Sequence, residues 1–385
     1  MDDAENREYI LRMKRGEKEY IWQQPDWPHW LFDAKRIFPL LTQVHRAQGL
    51  LLGKMRSIGL GQSDEATLTM LTDEVLKTSE IEGETLDSDT VRSSVARRLG
   101  MDVAAVALQD RRIDGIVNMV LDATQNFDKP LTRDRLFGWH EELFPTGERG
   151  DEDIRVGDWR DDAKGPMQVI SGAMGRERVH FEAPPAELIP KEMSKFLKWF
   201  NQDQSLDPLV KSGLAHLWFV TIHPFEDGNG RIGRAVCDLV LARSEQSAQR
   251  FYSLSSQIRK ERKNYYNLLE RTQKGSLEVT EWLEWFLETL LHAFQGAEES
   301  LSNVLAKAQF WQQWAGTPLN HRQSKVLNRL LDGFDGNLTS KKWAVIAKCS
   351  PDTALRDITD LITKGMLMKA SAGSRSTHYQ LKPLD

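Results

Sequence analysis

The stretch "DPLVKSGLAHLWFVTIHPFEDGNGRIGRAVCDLVLARS" (Asp207–Ser244) limits the choice of fold more than any other part of the chain. An apolar run at helical spacing leads directly into a polar, glycine-containing turn, and helical spacing resumes from Arg231 onward. The apolar run is far too short to span a bilayer. The pattern predicts a helix, a bare-backbone turn and a second helix inside a mainly α domain. The turn concentrates a histidine (His223), two carboxylates, two glycines around an asparagine, and two arginines within twelve residues.

The remaining sequence agrees with a mainly α fold. Apolar residues recur at helical spacing over His29–Met55, Asp64–Lys77 and Val103–Asn126. Thr132 predicts an N-cap, and Pro184 and Pro185 precede a further helix over Ala186–Asn201. "RKNYYNLLERTQ" and the long segment after Thr280 add more. One region departs from the pattern. Gly157–Pro185 is rich in glycine and contains two short β-prone runs, Met167–Ile170 and Arg178–Phe181, which predict a β-hairpin flap. After "AGTPLN" the tail predicts three short helices, the last capped by Ser350 and Pro351, and two strand-like pieces around a Gly/Ser tip. Three helices and a hairpin resemble a winged helix-turn-helix module.

Composition excludes some classes. At 385 residues, 40% hydrophobic and 28% charged, the chain has room for two or three domains of ordinary globular type. A net charge of −5 gives no whole-chain argument for nucleic acid or anionic lipid, so any such site must be local. The segment from Arg322 onward is locally basic. Twelve tryptophans predict aromatic anchors between helices. Two distant cysteines, Cys237 and Cys349, form no disulfide or zinc pattern. No apolar leader precedes the acidic start "MDDAENREYI", and the expectation is a cytoplasmic protein without membrane partners.

The chemistry of the turn follows from its parts. Gly228, Asn229 and Gly230 let backbone N–H groups converge at a helix N-terminus, which suits an anion. Arg231 and Arg234, three positions apart, suit a polyphosphate. Asp227 would repel that anion unless it held Mg²⁺ between phosphate oxygens. His223 remains as a neutral imidazole able to take a proton from an attacking hydroxyl. Together they point to transfer of a phosphorus group from a nucleoside triphosphate, without the P-loop or protein-kinase signatures.

"HPFEDGNGRIGR" resembles the Fic signature HPFx[DE]GNGRxxR at every specified position, and the likeness extends over roughly Asn118–Leu290. It implies the Fic-type helical core and, most often, transfer of AMP from ATP to a Ser, Thr or Tyr hydroxyl of a target protein, with release of pyrophosphate. Carried onto this chain, it makes His223 the general base and Asp227 the Mg²⁺ ligand. It implies ATP contacts for Asp227, Gly228, Asn229, Gly230, Arg231, Ile232, Gly233 and Arg234, the last toward the γ-phosphate. The flap is similar in place to the segment that pairs with a target's main chain, which assigns Val179, His180, Phe181 and Glu182. "RKERKNYYNLLERTQKG" is similar to the adenosine-enclosing segment, which assigns Tyr265 and Tyr266. Gln273 stands where the family carries Asn. Ordinary helix packing is the alternative for the tyrosine pair.

Far upstream, "KTSEIEGE" reads as the end of a helix with Gly83 as its stop. Its acidic residues oppose the helix dipole, and simple solvation is the default for Glu80, Glu82 and Glu84. Thr78–Gly83, however, resembles the [ST]xxxE[GN] inhibitory motif of the family. That likeness implies that Glu82 pairs with Arg234, occupies the γ-phosphate position and inhibits the resting protein. It leaves open removal of AMP by the same glutamate. The expected organisation is a helical region with the inhibitory helix (1–100), a Fic core (101–300) and a winged helix-turn-helix module (315–385). ATP and Mg²⁺ are the expected substrate and cofactor. Candidate partners are the target hydroxyl, the chain itself as an AMP acceptor, a second copy in a homodimer, and DNA. The competing readings are a DNA-binding regulator that uses the Fic core as a nucleotide sensor, and donors that deliver UMP, phosphocholine or phosphate.

Overall fold

The computed structural model describes residues 20–56, 60–101, 110–149, 152–172, 176, 178–331, 334, 336–370 and 377–383. The acidic N-terminus, the start of the predicted Val103 helix, most of the hairpin tip and the Gly/Ser tip near the C-terminus lie outside them. The chain divides into two compact units, Met1–Ala297 and Glu298–Asp385.

The apolar run becomes a fully embedded helix, α7 (Pro208–Ile222). Asp207 caps its N-terminus, and every residue except Pro208 and Lys211 is buried. It packs along α8 (Asn229–Glu245), which is almost as completely buried. A helix buried all round belongs at the centre of a bundle, and others surround this pair. They include α1 (Ala34–Arg56), α2 (Leu60–Ile81), α3 (Ser88–Arg98), α4 (Arg111–Gln125), α5 (Arg133–Leu143) and α6 (Ile189–Gln202). Asp110 caps α4, and Thr132 caps α5 by accepting from the Arg135 N–H at 3.1 Å.

The helix predicted from His29 begins five residues later, at Ala34. Trp27 and Trp30 pack instead edge-on against each other and against Trp218 of α7, and Asp33 accepts from the Lys35 N–H. The tryptophan-rich composition thus anchors the N-terminal region on the central helix.

Two short strands, β1 (Glu148–Arg149) and β2 (Glu152–Asp153), precede the flap. The flap is the predicted hairpin: β3 (Gln168–Ser171) pairs antiparallel with β4 (Arg178–Glu182), with a register shift between Val169 and Ile170. Helices α9 (Leu254–Lys260) and α10 (Arg262–Gln273) follow α8, and α9 packs on α2. That contact is polar and buried: Glu74 of α2 accepts from the hydroxyls of Ser253 (2.7 Å) and Ser255.

The long helix α11 (Thr280–Gln313) gives its first turns to the first unit and its last to the second. The second unit contains α12 (His321–Leu331), α13 (Ser340–Ala347), α14 (Pro351–Thr363) and an antiparallel pair, β5 (Leu367–Lys369) and β6 (Tyr379–Leu381). Its core forms around Trp343, Val326, Leu327, Ile358 and Leu361. Among the described residues, no helix is long and apolar enough to cross a membrane.

Candidate active site

The connection between the two central helices carries the predicted base. His223 ends α7 in the left-handed region (φ 53°, ψ 59°), which a residue with a side chain adopts only when its surroundings hold it there. Arg160 supplies the hold. Its Nε donates to the His223 carbonyl at 2.8 Å, its backbone N–H donates to Pro224 O at 2.9 Å, and the rest of the guanidinium reaches Asp162 and the Pro184 carbonyl. His223 Nδ1 lies 3.2 Å from Val220 O. A carbonyl only accepts, so Nδ1 keeps the proton and Nε2 presents the lone pair. Burial pushes the ring's pKa down to about 4, partly offset by the Val220 hydrogen bond. The ring is therefore neutral at ordinary pH.

The rest of the turn is clamped from below. The Asn229 side chain accepts from the Phe225 N–H (3.0 Å) and donates to the Phe225 carbonyl (2.8 Å). Phe225 stacks on His140 at 4.2 Å between centroids. Asn229 is thus a brace by its side chain, while its backbone opens α8. Ile232 belongs to the hydrophobic core and Gly233 lies against Val220 and His216, so these two predicted positions face the packing between α7 and α8.

Both arginines are occupied by the last turn of α2 and the residues just after it. Arg234, 2% exposed, donates from Nε to Thr78 Oγ1 (2.7 Å) and from Nη2 to Thr78 O (2.9 Å) and Glu82 Oε1 (2.7 Å). Arg231 donates to Glu84 at 3.0 Å, and Glu80 pairs with Arg259 at 3.2 Å. The three alternate glutamates are not simply solvated: each has an arginine. Cations there also suit the C-terminal end of a helix dipole. Gly83 (φ +88°) is the stop that lets the chain turn back. The approach of Glu82 is so close that a Cβ on Gly230 would lie 2.2 Å from its Oε1, so a side chain there would displace the Glu82 carboxylate.

Glu82, His223, Gly230, Tyr265 and Tyr266 line one cleft of about 510 Å³, together with flap residues and Gln273. Tyr265 is buried and shares a 2.9 Å hydrogen bond with His216, so packing explains most of its surroundings. Tyr266 donates to Ile81 O at 3.3 Å. Gln273 donates to Thr221 Oγ1 at 3.2 Å and is buried in the cleft wall. In the flap, His180 lines the cleft and meets Glu270 at 2.6 Å, with Arg178 also on Glu270. The Val179 carbonyl accepts from Lys274 (3.4 Å) and the Glu182 carbonyl from the Trp22 indole (2.8 Å). Phe181 is buried edge-on against Tyr20.

No group of three or more His, Cys, Asp or Glu gathers into a metal cluster among the described residues. Asp227, one of whose oxygens accepts from the Gly228 N–H at 2.7 Å, is a single hard donor beside the cradle. Mg²⁺ usually takes only one or two carboxylates and completes its shell with phosphate and water, so this donor set fits it.

The Fic/DOC family matches residues 130–241, the stretch that holds this turn. The chain carries a Fic domain. Upstream, residues 20–101 match a domain of unknown function (DUF4172), so the inhibitory-type turn lies outside the Fic match. A Fic family protein from Desulfovibrio desulfuricans G20 shares the fold, with a TM-score of 0.52 at 21% identity over 92% of this chain and 98% of that one. A probable protein adenylyltransferase of Aquifex aeolicus (strain VF5) is 29% identical over 103 residues, 27% of this chain and 30% of that protein. A uridine 5'-monophosphate transferase of Xanthomonas campestris pv. campestris (strain 8004) is 30% identical over 122 residues, 30% of this chain and 21% of that protein. The aligned stretch is thus less than a third of the length of either relative.

Residue-by-residue reading of the Fic signature omitted three parts of the site. Arg160 sits in a glycine-rich segment with no periodic signal. Glu84 and Glu270 lie 147 and 90 positions from the partners they meet, so only the tertiary fold reveals them.

Proposed function

We propose that the protein transfers AMP from ATP to a hydroxyl of a protein substrate, itself included, and that Glu82 holds this activity down. The observation that carries the proposal is the pairing of Arg234 with both Thr78 and Glu82, in a cleft that also contains His223. The buried Arg231 Nε and Arg234 Nη1 have no hydrogen-bond partner among the described residues, which supports a polyanionic ligand in the cradle.

In this reading the substrate hydroxyl gives its proton to His223 Nε2 while its oxygen forms a bond to the α-phosphorus. The bond from the α-phosphorus to the bridging oxygen breaks, and pyrophosphate leaves with the electron pair. Backbone N–H groups at the start of α8 and the two arginines carry the phosphate charge. Asp227 would hold Mg²⁺, which when bound neutralises phosphate charge. Strand β4 would pair with the substrate's main chain and hold the hydroxyl in register. The Glu82 carboxylate on Arg234 repels a γ-phosphate and takes its partner.

Labelled ATP tests this. Glu82→Gly is expected to raise self-labelling by roughly ten- to a hundredfold, from a charge-assisted pair worth about 1.5–3 kcal/mol. His223→Ala in that background should abolish it; undiminished labelling would remove His223 as the base. Labelled UTP in a parallel arm decides the donor, because one similar protein is a UMP transferase. Removal of AMP by a Glu82-positioned water is tested by adding labelled product back to the parent protein.

The second unit supports a separate role. Its three helices and strand pair are the parts expected of a winged helix, and we place any DNA contact there.

A further inference from the structure

The basic run "RKERK" (Arg259–Lys263) has no task in binding adenosine, which carries no charge there. Arg259, Lys260, Arg262 and Lys263 are all exposed and line, with Tyr266 and Asn267, an open groove of about 490 Å³. Glu261, between them, turns away to the Trp285 indole. Lys260 and Lys263 have no hydrogen bond or ion pair among the described residues. The two arginines hold the end of α2: Arg259 pairs with Glu80, and Arg262 Nε donates to the Ile81 carbonyl at 2.7 Å. Those are the two residues immediately before Glu82. Arg262, Tyr266 and Asn267 also line the nucleotide cleft, so groove and cleft adjoin.

We propose that this groove docks an acidic segment of the protein substrate, and that docking loosens the turn bearing Glu82. The proposal rests on the inhibitory reading of Glu82 above. Four cations on flexible stems in an open groove suit carboxylates spaced along an extended chain. A second nucleotide is disfavoured, because the face of Tyr266, the groove's aromatic ring, is already covered by the Arg262 guanidinium at 5.4 Å. Carboxylates on Arg259 and Arg262 compete directly with Glu80 and with the Ile81 carbonyl. Substrate that engages the groove therefore weakens the hold on the turn, and inhibition is relieved where acceptor is present. By linkage, release of the turn strengthens docking by the same factor.

The test uses the full chain and a fluorescein-labelled decaglutamate peptide as probe. Anisotropy should show binding that weakens at least tenfold between about 50 and 200 mM salt. Binding should also weaken at least tenfold in Lys260→Glu/Lys263→Glu, whose substituted side chains hold nothing in the fold. Equal binding by parent and double variant overturns the docking site. Tighter binding of inorganic tripolyphosphate, lost in the same variant, assigns the groove to a polyphosphate and overturns it too. Coupling is read without turnover, by hydrogen exchange at the Glu82, Gly83 and Glu84 amides, which bond to Ser79 and Glu80 carbonyls. Peptide should speed exchange there in the parent and not in the double variant; unchanged exchange overturns the coupling. Failure of AMP transfer in the labelling assay would leave both readouts intact, so the two readings fail separately.

Discussion

At the scale of residues, the glutamates at the end of α2 divide the work according to their burial. The Glu82 side chain is 28% exposed and that of Glu84 47%, while the arginines they meet are both buried. Solvent screens the second pair, which is worth at most about 1 kcal/mol. Glu84→Gln should therefore raise self-labelling by up to about fivefold, well below Glu82→Gly. Labelling equal to the parent would show that Arg231 is not restrained by Glu84. His223 gives a second test. Its pKa is pushed down to about 4, and the proposed mechanism uses the neutral ring, so activity should be present above that value and lost as pH falls through it. The kcat/KM of Glu82→Gly should be flat from pH 6 to 8 and decline only toward pH 4. A half-point near 6.5, the value of an ordinary imidazole, would contradict the desolvated geometry.

At the scale of elements, the flap and the turn that bears His223 are joined through one side chain. Arg160 bonds the His223 carbonyl on one side and the Pro184 carbonyl, just beyond β4, on the other. Asp162 closes the knot by accepting from the Ala186 N–H at 2.7 Å. Arg160→Gln leaves two carbonyls and the half-buried Asp162 carboxylate short of a donor, with an expected loss of about 1–3 kcal/mol in urea unfolding. Arg160→Lys keeps the charge without the fork. In the Glu82→Gly background it should lower kcat at least tenfold with little change in the ATP KM, because the base and the flap move relative to each other while the phosphate cradle stays. A changed KM with unaltered kcat would place Arg160 in nucleotide binding instead.

The same elements show what was legible from sequence. Periodicity identified α2, α7 and α10, and cap chemistry located the starts of α5 and α14, because these signals are local. Helix α3 was missed: "SDTVRSSVARR" is mostly polar, and its few buried residues, such as Val91 and Val95, form no long stripe. Helix α9 is only seven residues long. The signature marked His223, Asp227 and both arginines. It did not separate Gly230, which faces Glu82, from Ile232 and Gly233, which face the core, since that depends on the direction of each position on α8.

At the scale of the whole molecule, charge is distributed unevenly. The chain carries −5 overall, yet from Arg322 to the end there are eleven Lys and Arg against six Asp. Part of that excess is neutralised internally. Arg322 forms a forked pair with Asp357 at 2.8 and 3.0 Å, and Lys364 pairs with Asp360. Lys341, Lys348 and Arg356 have no acidic partner among the described residues, and they lie on or beside α13 and α14. Three phosphate contacts on duplex DNA would give a slope of about −2.7 for log affinity against log salt. The full chain should bind a random duplex at about 50 mM salt with that slope, and Lys348→Glu/Arg356→Glu should remove most of it. Exposed apolar residues on the same helices, Val345 at 78% and Leu355 at 51%, suit a protein contact as well. Absence of DNA binding at low salt would therefore reassign the second unit to a protein partner, without touching the chemistry of the Fic domain.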